Sequence, residues 1–358
     1  MRARCSWLIV VLAISALLSC SHLSALAQGY RENPAYSDFR GPIPIRDAGP
    51  FNLLFLQFVP ESARTQPAHA SRYDYQLDFI NNTLIPSRTF GAQVIEDNEY
   101  QRLRAAWRYG IDARTEVGVF VPLEWRNGGV LDGIIKAYHH LVGLRADALD
   151  VPLGRDHYPL FESKLEVDDK ATGRPIVSQG NGFGLGEAMV TIKRRLTALK
   201  GRGAAAVRIG MKLPTGNPAL LLGSGSFDEG VSLDAQYRVG REVTFYGNLG
   251  YVLLGHTSVA PGSRPNTVET LIAVEYRPNH RDSFIAQVDG NGQYVRTGNT
   301  FADRSNVSAT FGYQRVLDRH LLGLISFSEG GHIHSFTLPA LSNIAPEFTL
   351  TFGLSWLR

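Results

Sequence analysis

The chain reads as an all-β protein, a transmembrane antiparallel β-barrel of about twelve strands, with fourteen as the alternative count and one short helix in a long outer loop. Three observations predict this. Over residues 346–358, Phe348, Leu350, Phe352, Leu354 and Trp356 point one way while Thr349, Thr351, Gly353 and Ser355 point the other, which is the period of a strand with one apolar face. That strand ends a chain that opens with an export signal. Between the two, the connections alternate in length, short then long, as they do in outer-membrane barrels.

Residues 1–27 carry Arg2 and Arg4, then an apolar stretch from Trp7 to Leu18, then Ala25-Leu26-Ala27 before Gln28, the layout of a secretory signal peptide. A competing cut at Leu17-Leu18-Ser19-Cys20 would leave Cys20 as a lipidated N-terminus. The cut after Ala27 is preferred, because a barrel is held by its whole lipid-facing surface and needs no acyl anchor. Both cysteines, Cys5 and Cys20, lie in this segment, so the mature chain has no thiol pair for a disulfide or a nucleophile. After Leu26 no apolar run approaches the roughly 18 residues of a membrane helix, which leaves a soluble protein or a barrel. A net charge of +3 and a pI near 8.8, without a lysine or arginine run, argue against nucleic acid as a partner.

The division expected is signal peptide 1–27, a periplasmic or plug segment 28–71, and a barrel 72–358 that forms one domain despite its size. Within the barrel, period-two segments recur near 72–82, 99–110, 115–125, 183–196, 204–213, 228–239, 243–254, 267–277, 282–294, 305–316, 321–328 and 347–357. Short turns at Asp112-Ala113, Gly240-Arg241, Pro278-Asn279 and Asp318-Arg319 take turns with long Gly-rich or Pro-rich loops. A soluble sandwich has no reason to sort its loops by parity. An even strand count with both termini in the periplasm does.

The alternation is easiest to count in two strands. Val117, Val119, Val121, Leu123 and Trp125 oppose Glu116, Gly118, Phe120 and Glu124; Val268, Ile272, Val274 and Tyr276 oppose Glu269, Ala273, Glu275 and Arg277. Charges this dense do not fit a dry core and are tolerable only in a wet lumen or as pairs across it. Trp107, Tyr109, Trp125, Tyr237, Tyr251, Tyr276 and Trp356 fall near strand ends, where an aromatic girdle would sit.

Two stretches break the pattern. Residues 28–71 are proline-rich and contain an apolar run from Leu53 to Val59; they are expected either to cap or plug the lumen or to form a loosely packed leader with one extra strand. Residues 126–182 are too long for a plain loop. Inside them Leu131, Ile134, Ile135, Tyr138, Leu141 and Val142 recur at helical spacing, with Asp132 early and Gly143 at the end, so a helix is expected that either covers the mouth or packs on its own loop.

Gly41-Pro42-Ile43-Pro44-Ile45-Arg46, then Leu53-Leu54-Phe55-Leu56-Gln57, together with the stretch from Gly129 to Gly143 that holds Asp132-Gly133 and His139, resemble an uncharacterised outer-membrane β-barrel family, domain of unknown function 3187, over nearly the whole mature chain. Lys212-Leu213-Pro214-Thr215-Gly216 and Gly223-Ser224-Gly225-Ser226 resemble a strand-to-loop passage of barrels for uptake of phenolic and other hydrophobic compounds. The resemblance implies an exported barrel without assigned activity. One departure is that Leu357 and Arg358 follow Trp356, whereas such barrels usually end on an aromatic residue.

No catalytic residue and no cofactor is expected. Gly223-Ser224-Gly225-Ser226-Phe227 has its serine misplaced for a nucleophile elbow, and Gly182-Phe183-Gly184-Leu185-Gly186 opens a strand where a phosphate loop opens a helix. His332 with His334, and His139 with His140 and His157, lack a fixed third ligand, so no metal is expected. Alternation instead turns Arg102, Arg104, Arg108, Lys193, Arg195, Arg208 and Lys212 inward, opposed by Asp74, Asp78, Glu116, Glu187, Asp234, Glu269, Glu275 and Asp289. These are the candidate lumen-lining residues. They either set a transverse field suited to polar or anionic solutes or simply pair and fill the barrel, while an apolar leader and a lid would suit hydrophobic molecules.

The function expected is a passive channel or transporter for small compounds, hydrophobic ones among them, in the outer membrane of a Gram-negative bacterium. Its expected partners are outer-membrane lipids and lipopolysaccharide, the barrel-assembly machinery and an unidentified small solute. The alternatives are a lipid-modifying barrel enzyme and a structural or adhesive barrel.

Overall fold

The fold comes from a computed structural model that describes residues 40–84, 94–129, 131, 162–168, 175–197, 202–257, 259, 263–296, 305–330 and 348–358. Its strands are β1 (Ser71–Leu84), β2 (Val94–Gly110), β3 (Thr115–Asn127), β4 (Lys164–Asp168), β5 (Pro175–Gln179), β6 (Gly182–Leu185), β7 (Ala188–Arg195), β8 (Gly203–Leu213), β9 (Asp228–Val239), β10 (Val243–Leu253), β11 (Asn266–Tyr276), β12 (Asp282–Asn291), β13 (Asn306–Asp318), β14 (Leu321–Gly330) and β15 (Phe348–Leu357).

Twelve of them, β1 to β3 and β7 to β15, pair antiparallel with their neighbours, and β1 closes on β15 from Arg72 opposite Leu357 to Asn81 opposite Phe348. Closure leaves this sheet without an edge, the condition for a sheet to stand in hydrocarbon. Twelve is the count expected, and fourteen is set aside. The expected helix in the β3 to β4 connection falls on 132–161, outside the described residues.

Three short strands decorate the barrel. The β4–β5 hairpin pairs with Val94 to Asp97, where β2 runs on past the end of β3. The single strand expected near 183–196 is interrupted: β6 pairs with Leu123 to Arg126 and β7 with Thr115 to Phe120 of the same neighbour, with Gly186 and Glu187 between. The interruption has a cause outside the strand. The Glu187 carboxylate accepts the amides of Thr215 (3.0 Å), Gly216 (3.1 Å) and Ser224 (2.6 Å) from the loop after β8.

The barrel is inverted relative to a soluble protein. Ile272, the most exposed large apolar side chain among the described residues, is 73% accessible, and Leu249, Ile209, Val231, Phe245, Phe284, Val288 and Phe311 are also on the outside. Asp234, Glu269, Glu275 and Arg208 are fully buried. Aromatic rings mark the end that carries the short turns: Tyr73 lies 5.8 Å from Trp356, Trp107 5.9 Å from Tyr109 and Phe284 5.2 Å from Tyr313. Such a belt places amphipathic rings at a membrane–water boundary.

Candidate functional site

Of the fifteen candidate residues, Asp78, Arg108, Glu116, Glu187, Lys193, Arg195, Arg208, Lys212, Asp234, Glu269, Glu275 and Asp289 are buried and Asp74, Arg102 and Arg104 half-buried; they lie on β1, β2, β3, β7, β8, β9, β11 and β12, with Glu187 just before β7. Their arrangement departs from a basic stripe facing an acidic one. Most cations pair locally: Arg104 with Asp78 (2.7 Å), Arg108 with Asp74 (3.0 Å), Arg102 with Glu124 (3.0 Å), Lys193 with Glu116 (3.0 Å), Arg208 with Asp234 (3.2 Å) and Lys212 with Glu187 (3.3 Å) and Asp228 (3.2 Å). Register decides this, since facing and diagonal side chains on adjacent strands are the ones within reach. Glu269, Glu275 and Asp289 stand apart on β11 and β12. Glu275 accepts Ser283 Oγ (2.6 Å) and the Tyr246 hydroxyl, and Arg195 reaches Thr197 (3.5 Å). Two facing wall pairs are of like sign: Arg72 and Arg108 on β1 and β2, with Asp74 beside both, and Lys193 and Arg208 on β7 and β8.

The interior is occupied by residues 40–67, which have almost no secondary structure beyond a 3-10 turn at Asn52–Leu54. Prolines at 42, 44, 60 and 67 remove amide donors and hold the chain extended. Its buried backbone groups therefore need partners from the wall. Amides of Ile43, Leu56, Phe58, Glu61 and Gln66 donate to Gln287 (2.9 Å), Asp228 (2.8 Å), Glu269 (2.9 Å), Asn248 (3.3 Å) and Glu116 (2.7 Å). Carbonyls of Pro44, Leu54 and Val59 accept from Arg104 (2.7 Å), Lys212 (2.9 Å) and Arg208 (2.8 Å).

Apolar packing completes the seat. Ile43 and Ile45 pack with Tyr246, Leu271, Ala273 and Ile285, and Phe58 packs with Leu56, Met189 and Val252. The Phe58 ring lies in a dent left by Gly210, Gly230 and Gly250. A Cβ at these positions would come within 2.7, 2.8 and 3.3 Å of its carbons. Residues 40–67 are thus packed within the barrel.

Sequence reasoning passed over charged groups of this segment, among them Arg46, Asp47 and Glu61. Arg46 donates to the Phe58 carbonyl and to the Asn291 side chain (3.3 Å). Asp47 accepts the Gly49 amide (2.8 Å) and the side chains of Asn52 and Asn306; burial dominates and pushes its carboxyl up to about 6. Burial would raise Glu61 too, but Arg108, Arg208 and Lys193 outweigh it and hold that carboxyl well below the usual range. The only hint in the sequence was charge inside a proline-rich, otherwise apolar stretch.

Among the described residues, two cavities lie between segment and wall. One, of about 80 Å³, has a polar side made by Asp74, Asp78, Arg102, Arg104 and Arg108 and an apolar side that includes Leu53, Leu56, Val59, Phe120 and Met189. The other, of about 40 Å³, lies beside Arg72 and Ser355, where β1 starts and β15 ends; Pro44 and Arg108 line both.

A closed twelve-strand sheet with an apolar skin and a charged, partly occupied interior defines a transmembrane β-barrel of the outer-membrane type. The chain belongs to the family described as a protein of unknown function, DUF3187, whose model matches residues 33–329. No curated protein matches it. Among solved structures it is similar to the COG4313 outer membrane channel from Pseudomonas putida F1, at 11% identity and a TM-score of 0.57 over 84% of this chain and 100% of that one. The NanC porin is more distant (8% identity, TM-score 0.44, 79% and 98% covered), as is the toluene transporter TodX of P. putida (10%, 0.35, 82% and 90%).

Proposed function

We propose that this barrel is a passive channel for small molecules in the outer membrane of a Gram-negative bacterium, reached after export through a cleaved signal peptide, with residues 40–67 restricting its lumen as a plug. One observation carries this reading. The cavities flanking the segment follow one another along the wall of β1 and β2, and both are lined by charged side chains that favour a hydrated path. Lipid and lipopolysaccharide would meet the apolar skin, and the barrel-assembly machinery would insert it. The resting slot is narrow, so solutes larger than water or a small ion require the segment to shift.

Planar-bilayer recording of the purified barrel tests the reading. The expected result is a small, steady conductance that rises when residues 40–67 are deleted from a barrel that still folds. Silence of both proteins towards ions and solutes would overturn it. Lipid hydrolysis in that silent state would favour the enzyme reading.

A further inference from the structure

Glu61 occupies a position the wall has prepared for a carboxylate. Lys193 and Arg208 face each other across β7 and β8, an arrangement that repels unless an anion lies between them. Glu61 supplies it: Lys193 Nζ is 2.7 Å from one carboxylate oxygen and Arg208 2.9 Å from the other, with Arg108 of β2 at 3.4 Å. Three strands thus converge cations on a group that belongs to none of them.

The surroundings extend the argument. The smaller cavity beside Glu61 is lined by Arg40, Arg64, Arg72, Arg108 and Lys193, and Glu61 is the one acid among its lining residues. Through Pro44 and Arg108 it adjoins the larger cavity, whose apolar side includes Leu53, Leu56, Val59, Phe120 and Met189. A charged head and an oily body find matching surfaces one after the other. The wall also keeps acids beside its cations when Glu61 is lost: Glu116 beside Lys193, Asp234 beside Arg208, and Asp74 shared by Arg108 and Arg72. A buried carboxyl held well below its ordinary range shows that the position favours negative charge.

We infer that Arg108, Lys193 and Arg208 form a binding site for the carboxylate of small organic acids with an apolar body, and that Glu61 is the internal surrogate such a solute displaces. This names the solute class of the proposed channel and rests on that reading for transport, but binding is measurable without it.

The test is calorimetric titration of benzoate, with benzamide as the uncharged isostere, into the whole barrel in detergent. Removing the surrogate should tighten benzoate binding about tenfold or more in E61Q relative to wild type, the change expected when one competing ion pair of roughly 1.4 kcal/mol is lost. Benzamide should bind neither protein measurably, and K193Q in the E61Q background should abolish the benzoate signal. Should E61Q not fold, E61D withdraws the carboxylate by one methylene and should give the same ranking. Absence of benzoate binding to the folded variant, or equal binding of benzamide, overturns the site whatever the barrel conducts. Binding without any conductance would instead overturn the channel and leave the site standing.

Discussion

The amide of Phe58 donates to the carboxylate of Glu269 at 2.9 Å, 211 residues away along the chain and fully inside the barrel. The same carboxylate accepts the Tyr294 hydroxyl (2.8 Å) and faces Arg46 at 3.8 Å, so one wall side chain holds the middle of the interior segment by its backbone and by its charge. Orphaning a buried hydrogen-bonding group costs about 1–3 kcal/mol. E269A should therefore loosen residues 40–67 without opening the sheet. Trypsin should cut after Arg46 or Arg64 in the folded variant and spare wild type, with bilayer conductance rising in parallel. Resistance equal to wild type would show that Glu269 is not what retains the segment.

The outer skin makes a separate prediction. Ile272 is 73% accessible in the middle of β11, next to Ala273, which is buried at 2% on the opposite face. An arginine on the lipid face near the bilayer midplane costs about 2–4 kcal/mol, and on a water-facing surface almost nothing. I272R should lower the free energy of reversible folding into lipid vesicles by that amount, while the rim variant Y276R should change it far less. Equal, negligible shifts would mean that water covers the exterior.

What could be read in advance follows from the range of each determinant. The alternation from Val268 to Tyr276 is local, so period and loop parity placed β11 and β10 within one residue of their observed ends and β12 within three. The same local period marks which charges share a face with the buried positions of a strand, as Glu269 and Glu275 do with Leu271 and Ala273. The pairing of such charges was not legible, because Asp78 with Arg104 or Lys193 with Arg208 depends on register between strands, which no single segment encodes. The seat of residues 40–67 was hidden further still. Prolines announced irregular backbone, but the partners Gln287, Glu269 and Asn248 lie 244, 211 and 187 residues away. The family resemblance of Gly41 to Arg46 and Leu53 to Gln57 pointed to that stretch without saying what it touches.

Glu187 explains a break that no local pattern announced, and so it is the place to test how the outer loop is held. Its carboxylate gathers three amides and Lys212, while the Thr215 hydroxyl donates to the Gly186 carbonyl at 2.7 Å. Q at this position keeps one acceptor oxygen; A keeps none. E187A should cost about 2–4 kcal/mol and E187Q less. Hydrogen exchange should show the amides of Thr215, Gly216 and Ser224 losing protection together. Loss at one amide alone would mean that the loop is held elsewhere.

Asp47 predicts the pH dependence of the segment. Its folded pKa of about 6 lies above the 3.8 of an unperturbed aspartate, with burial as the leading cause. The folded state therefore binds more protons between those values, and the stabilisation present below pH 3.8 is lost as pH rises through about 6. A two-unit difference corresponds to about 3 kcal/mol. Glu61 adds no slope between pH 5 and pH 7, since its carboxyl is lowered; its contribution is present above its ordinary value of 4.5 and is lost progressively as pH falls below it. Glu96 and Asp289 lie within electrostatic reach of Asp47, so the informative quantity is the difference from a variant with Asp47 neutralised. Amides from Gly49 to Leu54, after correction for intrinsic exchange rates, should be better protected at pH 5 than at pH 7 in wild type. D47N should be flat over that interval and match the acid form of wild type. A slope that survives in D47N would move the titrating group away from Asp47.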